Sequence, residues 1–288
     1  MAAHAFGAAG GLTRGGSGRP YTRSVGTGAV ESPPARLTFV GHSTVLIELD
    51  GVRLLTDPLL RTRVGPLRRA GPRPPDAASR DIDAVLISHS HWDHLDPQSL
   101  RRLDTATTLF VPAGAAAALR RHGFGSVVEL SPGETGTVGP IGVAATQARH
   151  RGFGPPLGPT AEAIGFVIEG SRRIYFAGDT GLFPAMAELA DTLDVALLPV
   201  WGWGPTVRGS HLDPDSAAEA LRLLRPRVAV PIHWGTYHPI SAGRLRTGTR
   251  IEPPHRFAAS AARLAPAVDV RILQPDETME LPATRHDG

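Results

Sequence analysis

The sequence predicts an α/β fold on three observations. Short apolar runs of strand length alternate with segments of helical periodicity from Arg36 onward. Early in that region an Asp50-Gly51 pair separates two apolar runs, a strong signal for a tight antiparallel hairpin. Several later apolar runs stop at a histidine or an aspartate, so polar groups collect where strands end. With 288 residues, 41% of them hydrophobic, the chain can bury a large core, as one big α/β unit or as two small domains.

Residues 1–34 are rich in Gly, Ala, Ser and Pro without apolar periodicity and read as a flexible arm, leaving 35–288 as the folded domain. Apolar runs at 37–40, 44–49 and 52–56 then predict an antiparallel meander, closed by Asp57-Pro58. The segment 61–80 carries Arg61, Arg63, Arg68, Arg69, Arg73 and Arg80 among prolines and glycines. Its length without periodicity fits a lid or binding loop, and guanidinium forks suit phosphate or carboxylate; a solvated basic loop is an equal alternative. Asp96-Pro97 marks a helix start, with Asp96 as N-cap. A further helix is expected over 112–122, stopped by Gly123, and strands over 127–130 and 141–145.

A second hairpin pairs 163–169 with 173–177 across Gly170-Ser171. A short helix over 184–190 and a strand over 195–199 follow. Asp213-Pro214 repeats the capping signature, and Ala217, Leu221 and Leu224 give the next helix one apolar stripe up to Pro226. A strand over 228–232, a helix over 254–264 and a strand over 268–273 complete the prediction.

The densest feature is His89-Ser90-His91-Trp92-Asp93-His94, directly after the apolar run 84–87. In a continuous helix these side chains would fan over more than one face, whereas a loop at a strand end converges them. Imidazole with carboxylate suits zinc and its first-row neighbours. Four such groups exceed what one open catalytic ion needs from one segment, which makes two ions the natural reading. His150, Asp179 in Gly178-Asp179-Thr180-Gly181, and His233 each follow an apolar strand as well. One sheet edge presenting one metal site accounts for all these placements; histidine-rich surface turns would have to recur independently.

The absence of cysteine excludes disulfides and thiolate ligands. No run approaches the roughly 18 apolar residues that span a bilayer, and the first twenty residues lack the apolar core of a signal peptide, so a soluble cytoplasmic protein is expected. All thirty basic residues are arginine, and the formal charge of +3 is too small to imply nucleic-acid binding. No stable nucleic-acid partner is expected.

The motifs Gly41-His42-Ser43-Thr44, Thr56-Asp57-Pro58, the histidine cluster through Leu95-Asp96, His150, Gly178-Asp179-Thr180-Gly181 and Pro231-Ile232-His233-Trp234-Gly235-Thr236 resemble those of the metallo-β-lactamase-fold hydrolases. His211-Leu212-Asp213-Pro214 ahead of a helix, with the His-Trp-Gly-Thr tail, looks like the branch containing N-acylphosphatidylethanolamine-hydrolysing phospholipase D and the ascorbate-phosphate lactonases. The resemblance implies a four-layer αββα sandwich with two divalent metal ions at one edge, zinc by default and manganese or iron as alternatives. In it, His89, His91 and His150 would hold the first ion, Asp93, His94 and His233 the second, and Asp179 would bridge them.

The implied reaction is hydrolysis of a small anionic ester by a metal-bridging hydroxide, foremost a phosphodiester, with lactone opening as the alternative and nucleic-acid processing behind both. Asp93 and Asp179 would be indispensable, and His211 would touch the substrate or leaving group. Asp57 is a candidate partner for a metal-bound imidazole, and Asp96 is foremost a helix cap. Trp201 and Trp203 are candidates for an aromatic pocket wall, while His42, His122, His238 and His255 read as structural or surface groups. The oligomeric state is left open, a homo-oligomer included.

Overall fold

A computed structural model describes residues 34–150, 161–202, 209–240 and 247–281. Nearly all of the expected N-terminal arm, the loop 151–160 and Trp203 lie outside the described residues. The first half of the chain forms β1 (Arg36–Gly41), β2 (Thr44–Leu49), β3 (Val52–Thr56), a small hairpin of β4 (Arg63–Val64) and β5 (Leu67–Arg69), and β6 (Ala84–Leu86). Helix α1 (Pro97–Leu100), β7 (Thr108–Pro112), α2 (Ala116–Arg121) and β8 (Val127–Leu130) follow. Next come β9 (Thr135–Val138), β10 (Ile141–Gln147), β11 (Ile164–Glu169), β12 (Arg173–Phe176) and β13 (Val195–Pro199). The chain ends in α3 (Pro214–Leu224), β14 (Val228–Ile232), β15 (Tyr237–Pro239), α4 (Thr247–Leu264), β16 (Asp269–Val270) and β17 (Glu277–Glu280).

Two seven-stranded sheets result, in the orders β17-β1-β2-β3-β6-β7-β8 and β16-β14-β13-β12-β11-β10-β9. In the first sheet, β2 turns Val45, Ile47 and Leu49 into the large central core, while Leu46 joins a second core with Leu100 of α1 and Leu119 of α2. Leu54 against Leu55 and Leu86 against Val85 divide in the same way. This sheet is therefore apolar on both faces, which is why its strands read as continuous apolar runs instead of alternating ones. In the second sheet β11 to β14 supply the facing layer, backed by Ala217, Leu221 and Leu224 of α3 and Phe257 of α4. These layers make the four-layer αββα sandwich expected of the chain.

The Asp50-Gly51 turn closes the β2–β3 hairpin with Leu49 opposite Val52, and both turn residues take positive φ, 51° and 80°. That is the type I′ geometry which Asp-Gly favours. Asp213 caps α3 by a full capping box with Ser216.

Four expectations change. Pro112 ends β7, and α2 starts only at Ala116. Helix α4 starts at Thr247 and carries Pro253 and Pro254 inside it, although proline favours a first turn. The strand expected over 268–273 contracts to β16. The arginine-rich segment 61–80 is ordered by β4 and β5, which join β15 in a separate three-stranded sheet.

Parallel pairing runs β3-β6-β7-β8 in one sheet and β12-β13-β14-β16 in the other. Carboxyl ends of such strands are where α/β sheets place ligands.

Candidate metal centre

Strand ends mount the cluster. Asp57 follows β3, Ser88 and His89 follow β6, His150 follows β10, Asp179 follows β12 and His233 follows β14. His42, in the turn between β1 and β2, stands beside them. Three of these residues hold left-handed backbone conformations, His42 at φ 58°, Asp57 at 31° and His233 at 61°. Such conformations cost on the order of 1–3 kcal/mol each in non-glycine residues and concentrate at functional sites.

Gly178, also left-handed at φ +57°, lets the end of β12 close on Ser88: a Cβ there would lie 2.4 Å from Ser88 Cβ. We expect Gly178→Ala to destabilise the protein by about 1–3 kcal/mol through backbone strain and overpacking. A lowered urea midpoint with unchanged denaturant slope is the expected reading.

Hydrogen bonds orient the imidazoles. Asp57 Oδ2 accepts from His94 Nδ1 at 2.7 Å and from Ser88 Oγ at 2.6 Å, while Ser88 N donates to Asp57 Oδ1 at 2.7 Å. Because its hydroxyl proton is committed to Asp57, Ser88 Oγ accepts from His89 Nδ1 at 2.9 Å. His150, His211 and His233 direct Nδ1 to the carbonyls of Ser210, Leu212 and Trp201 at 2.8, 2.9 and 2.6 Å. Five rings thus spend Nδ1–H on an outer oxygen and turn Nε2 inward, the arrangement by which proteins fix metal-binding tautomers.

The inward atoms fall into groups. His89 Nε2 lies 2.8 Å from His91 Nδ1, and His150 Nε2 lies 3.3 Å from the same atom. A tetrahedral ion with bonds of about 2.0–2.1 Å would separate two imidazole nitrogens by about 3.3 Å. His89, His91 and His150 form one group able to hold a metal; His42, Asp93, His94 and His233 form another; Asp179, His211 and His233 a third. Asp179 Oδ2 approaches His89 Nε2 at 3.9 Å, His94 Nε2 at 3.3 Å and His211 Nε2 at 3.2 Å, and its Oδ1 approaches His233 Nε2 at 3.4 Å. Despite that proximity, buried His94 Nε2, His211 Nε2 and Asp179 Oδ1 make no hydrogen bond of good geometry. Buried polar atoms left this way are costly, and a cation among them would satisfy them. The donor set fits a divalent metal.

Charge balance inside the cluster follows from burial and proximity. Burial pushes the Asp179 carboxyl up, but His233, His94 and His211 outweigh it and hold it well below the usual carboxylate range. Asp93 is likewise held well down, burial being overcome by His94, His233 and His42. Burial lowers His94, yet Asp179, Asp93 and Asp57 raise it well above an ordinary imidazole. His89 is pushed well down by burial and by neighbouring His94.

All eight residues read as site residues from the sequence, His89, His91, Asp93, His94, His150, Asp179, His211 and His233, meet here. His42 joins them against expectation: it is 1% exposed, its Nε2 lies 3.1 Å from Asp93 Oδ2, and its carbonyl accepts from His233 N at 2.8 Å. Burial, with His233 next, drives its pKa down to about 3. The available signal was its place at the end of the apolar run Leu37–Val40, the same pattern that singles out the other ligands. Asp96 caps α1 through Ser99 N at 3.0 Å and pairs with Arg61 Nη1 at 3.2 Å, as its capping role predicts. Trp201 contributes its carbonyl to His233, a role no aromatic reading anticipates.

Asp57→Asn is expected to weaken zinc binding about 10–100-fold, because the side chain behind His94 loses its charge. Competition against a chelating dye measures it; an unchanged affinity would reduce Asp57 to a brace for Ser88.

Facing sheets with an imidazole-carboxylate cluster at their strand ends define a class of metal-binding αββα proteins. Residues 52–234 match the family model described as the β-lactamase superfamily domain. The chain belongs to the β-lactamase superfamily, among its metal-dependent hydrolases. It is 35% identical over 261 residues to a metal-dependent hydrolase of Opitutus terrae, covering 85% of this chain and 100% of that protein. It is 34% identical over 227 residues to N-acyl-phosphatidylethanolamine-hydrolyzing phospholipase D 1 of Caenorhabditis elegans, covering 69% of this chain and 64% of that enzyme. The chain thus spans less than two thirds of that relative's length. Among solved structures, the metallo hydrolase Igni18 of Ignicoccus hospitalis is 25% identical with a TM-score of 0.64, over 86% of this chain and 98% of that one. Among the described residues no helix is long and apolar enough to cross a membrane.

Proposed function

We propose that the chain hydrolyses a small anionic ester, foremost a phosphodiester, with two divalent ions that ligand chemistry favours as zinc. One observation carries the reading: the Asp179 carboxylate lies within 4 Å of His89, from one ligand group, and of His94 and His233, from another. In this reading His89, His91 and His150 would hold the first ion, Asp93, His94 and His233 the second, and Asp179 would serve both. Two such ions supply a water of lowered pKa and polarise the ester oxygen.

The chain's own residues do the rest. Asp57, Ser210 and Trp201 accept from the ligand imidazoles and fix their lone pairs inward. His42 Nε2 donates to Asp93 Oδ2, the oxygen that also faces His94 and His233, and so steadies that carboxylate. His211, buried with Nε2 3.2 Å from Asp179 Oδ2, would hold a proton for the leaving group. The phosphodiester choice rests on the relative named as a phospholipase D.

Turnover of a generic chromogenic phosphodiester by metal-loaded protein, beside a panel of lactones and with Asp93→Ala as control, tests the proposal. Diester cleavage lost in the variant supports it. Lactone opening without diester cleavage would replace the phosphodiester reading with lactone hydrolysis.

A further inference from the structure

Six arginines lie between residues 61 and 80, and the fold separates them. Arg69 is buried, donating to the carbonyls of Val40 and Pro72 at 2.7 Å each. Arg61, Arg63 and Arg73 instead converge with Arg102, from the turn after α1, on a cavity of about 290 Å³ lined by these four and Thr62. Arg61 is paired with Asp96, and Arg102 donates to the Leu60 carbonyl. Among the described residues, the guanidiniums of Arg63 and Arg73 make no hydrogen bond and no ion pair. Four arginines less one aspartate leave three uncompensated positive charges around one small space. Like charges held together repel, and an anion among them reverses the sign of that interaction.

The frame around this cavity is fixed by its own contacts. Leu60 N donates to Ser99 Oγ at 2.8 Å, and the Tyr237 hydroxyl bonds the carbonyls of Leu59 and Arg61. Arg69 holds the carbonyl of Pro72, next to Arg73. The β4–β5 turn rests on the metal loop, a Cβ at Gly65 falling 3.0 Å from the Trp92 ring.

The geometry points to this cavity as a second anion site, separate from the metal cluster, that takes a phosphate group. A carboxylate is satisfied by one guanidinium fork, whereas a phosphate has oxygens for several forks arriving from different sides. The volume is at the bottom of the range of ligand sites, of about 300 Å³ and above, so the ligand is phosphate itself or a small monoester. The inference stands apart from the hydrolase reading.

Calorimetric titration of inorganic phosphate and of glycerol 3-phosphate into the metal-loaded full chain at low ionic strength tests it, wild type against R63Q/R73Q. Low salt avoids screening of exposed charges. The double substitution is expected to raise the Kd at least tenfold without lowering the Tm, because neither side chain has a bond to lose and their mutual repulsion is relieved. Tighter binding of inorganic phosphate would assign the site to free phosphate, and tighter binding of the monoester to a phosphate-bearing headgroup; either supports the site. No binding by the wild type, or equal affinity in both proteins, would overturn it. No turnover enters the measurement, so failure here leaves the hydrolase reading untouched.

Discussion

Asp179→Ala is expected to lower kcat by roughly 10³-fold or more on any substrate the wild type hydrolyses, a loss of about 4 kcal/mol of transition-state stabilisation. The side chain is 4% exposed and lies within 4 Å of four imidazoles. In the proposed reading this carboxylate serves both ligand groups at once, and a neutral water filling its place would not carry its charge. Removing it also leaves His94 with two of its three neighbouring carboxylates, Asp93 and Asp57, so the buried cluster loses a negative charge. Turnover must therefore be read beside the far-UV circular dichroism and Tm of the metal-loaded variant. Asp179→Asn, which keeps the shape and loses the charge, should lose activity with a smaller change in Tm. An alanine variant within tenfold of wild-type kcat would overturn the shared-ligand role.

How far the molecule can be read from its residues varies by element. The strands that mount the site were legible because both of their faces are buried: Val195–Pro199 and Val228–Ile232 appear with the bounds expected of them. Edge strands were not. β9 (TGTV) and β17 (ETME) are exposed or half-exposed along their length, so no apolar run marks them. β17 pairs with β1 through contacts such as Arg36 opposite Glu280, a separation no local pattern encodes.

The same contrast holds within the site. His89, His91, Asp93 and His94 advertise themselves by density in one segment. His42 does not, because a single histidine in a turn has no periodic companion; its partners Asp93 and His233 arrive from distant parts of the chain. The arginine segment shows the opposite failure. Six arginines within twenty residues read equally as a binding loop or as a solvated basic loop, but Arg69 went into the interior and Arg102, from outside the segment, took a place at the cavity. Composition recorded the charge without its geometry.

Stripping divalent metal with a chelator is expected to abolish turnover and lower the Tm, and added zinc to restore both. An ion held at 100 to 1,000 times its Kd contributes about 2.7–4.1 kcal/mol of stability, and each kcal/mol moves the Tm of a domain this size by about 2–4 °C. A fall of roughly 5–16 °C follows. The stripped protein should also acquire a pH dependence of definite shape. Folding pushes His42, His89, His91 and His150 down, chiefly by burial, so in the fold they stay neutral while the unfolded chain takes up protons below pH 6.5. Their contribution is present above pH 6.5 and lost as the pH falls. His94 and His211, raised by Asp179 against the effect of burial, act the other way, contributing below pH 6.5 and losing that contribution as the pH rises through their folded values. The two sets act in different intervals, so the stripped protein should gain stability as the pH falls towards 6.5 and lose it below 6.5. Melting curves in chelator across both intervals measure the balance, and metal-loaded protein provides the control. A stripped protein that keeps gaining stability below pH 6.5 would show that the cluster folds around protonated imidazoles, and the case for a preformed metal centre would then fail.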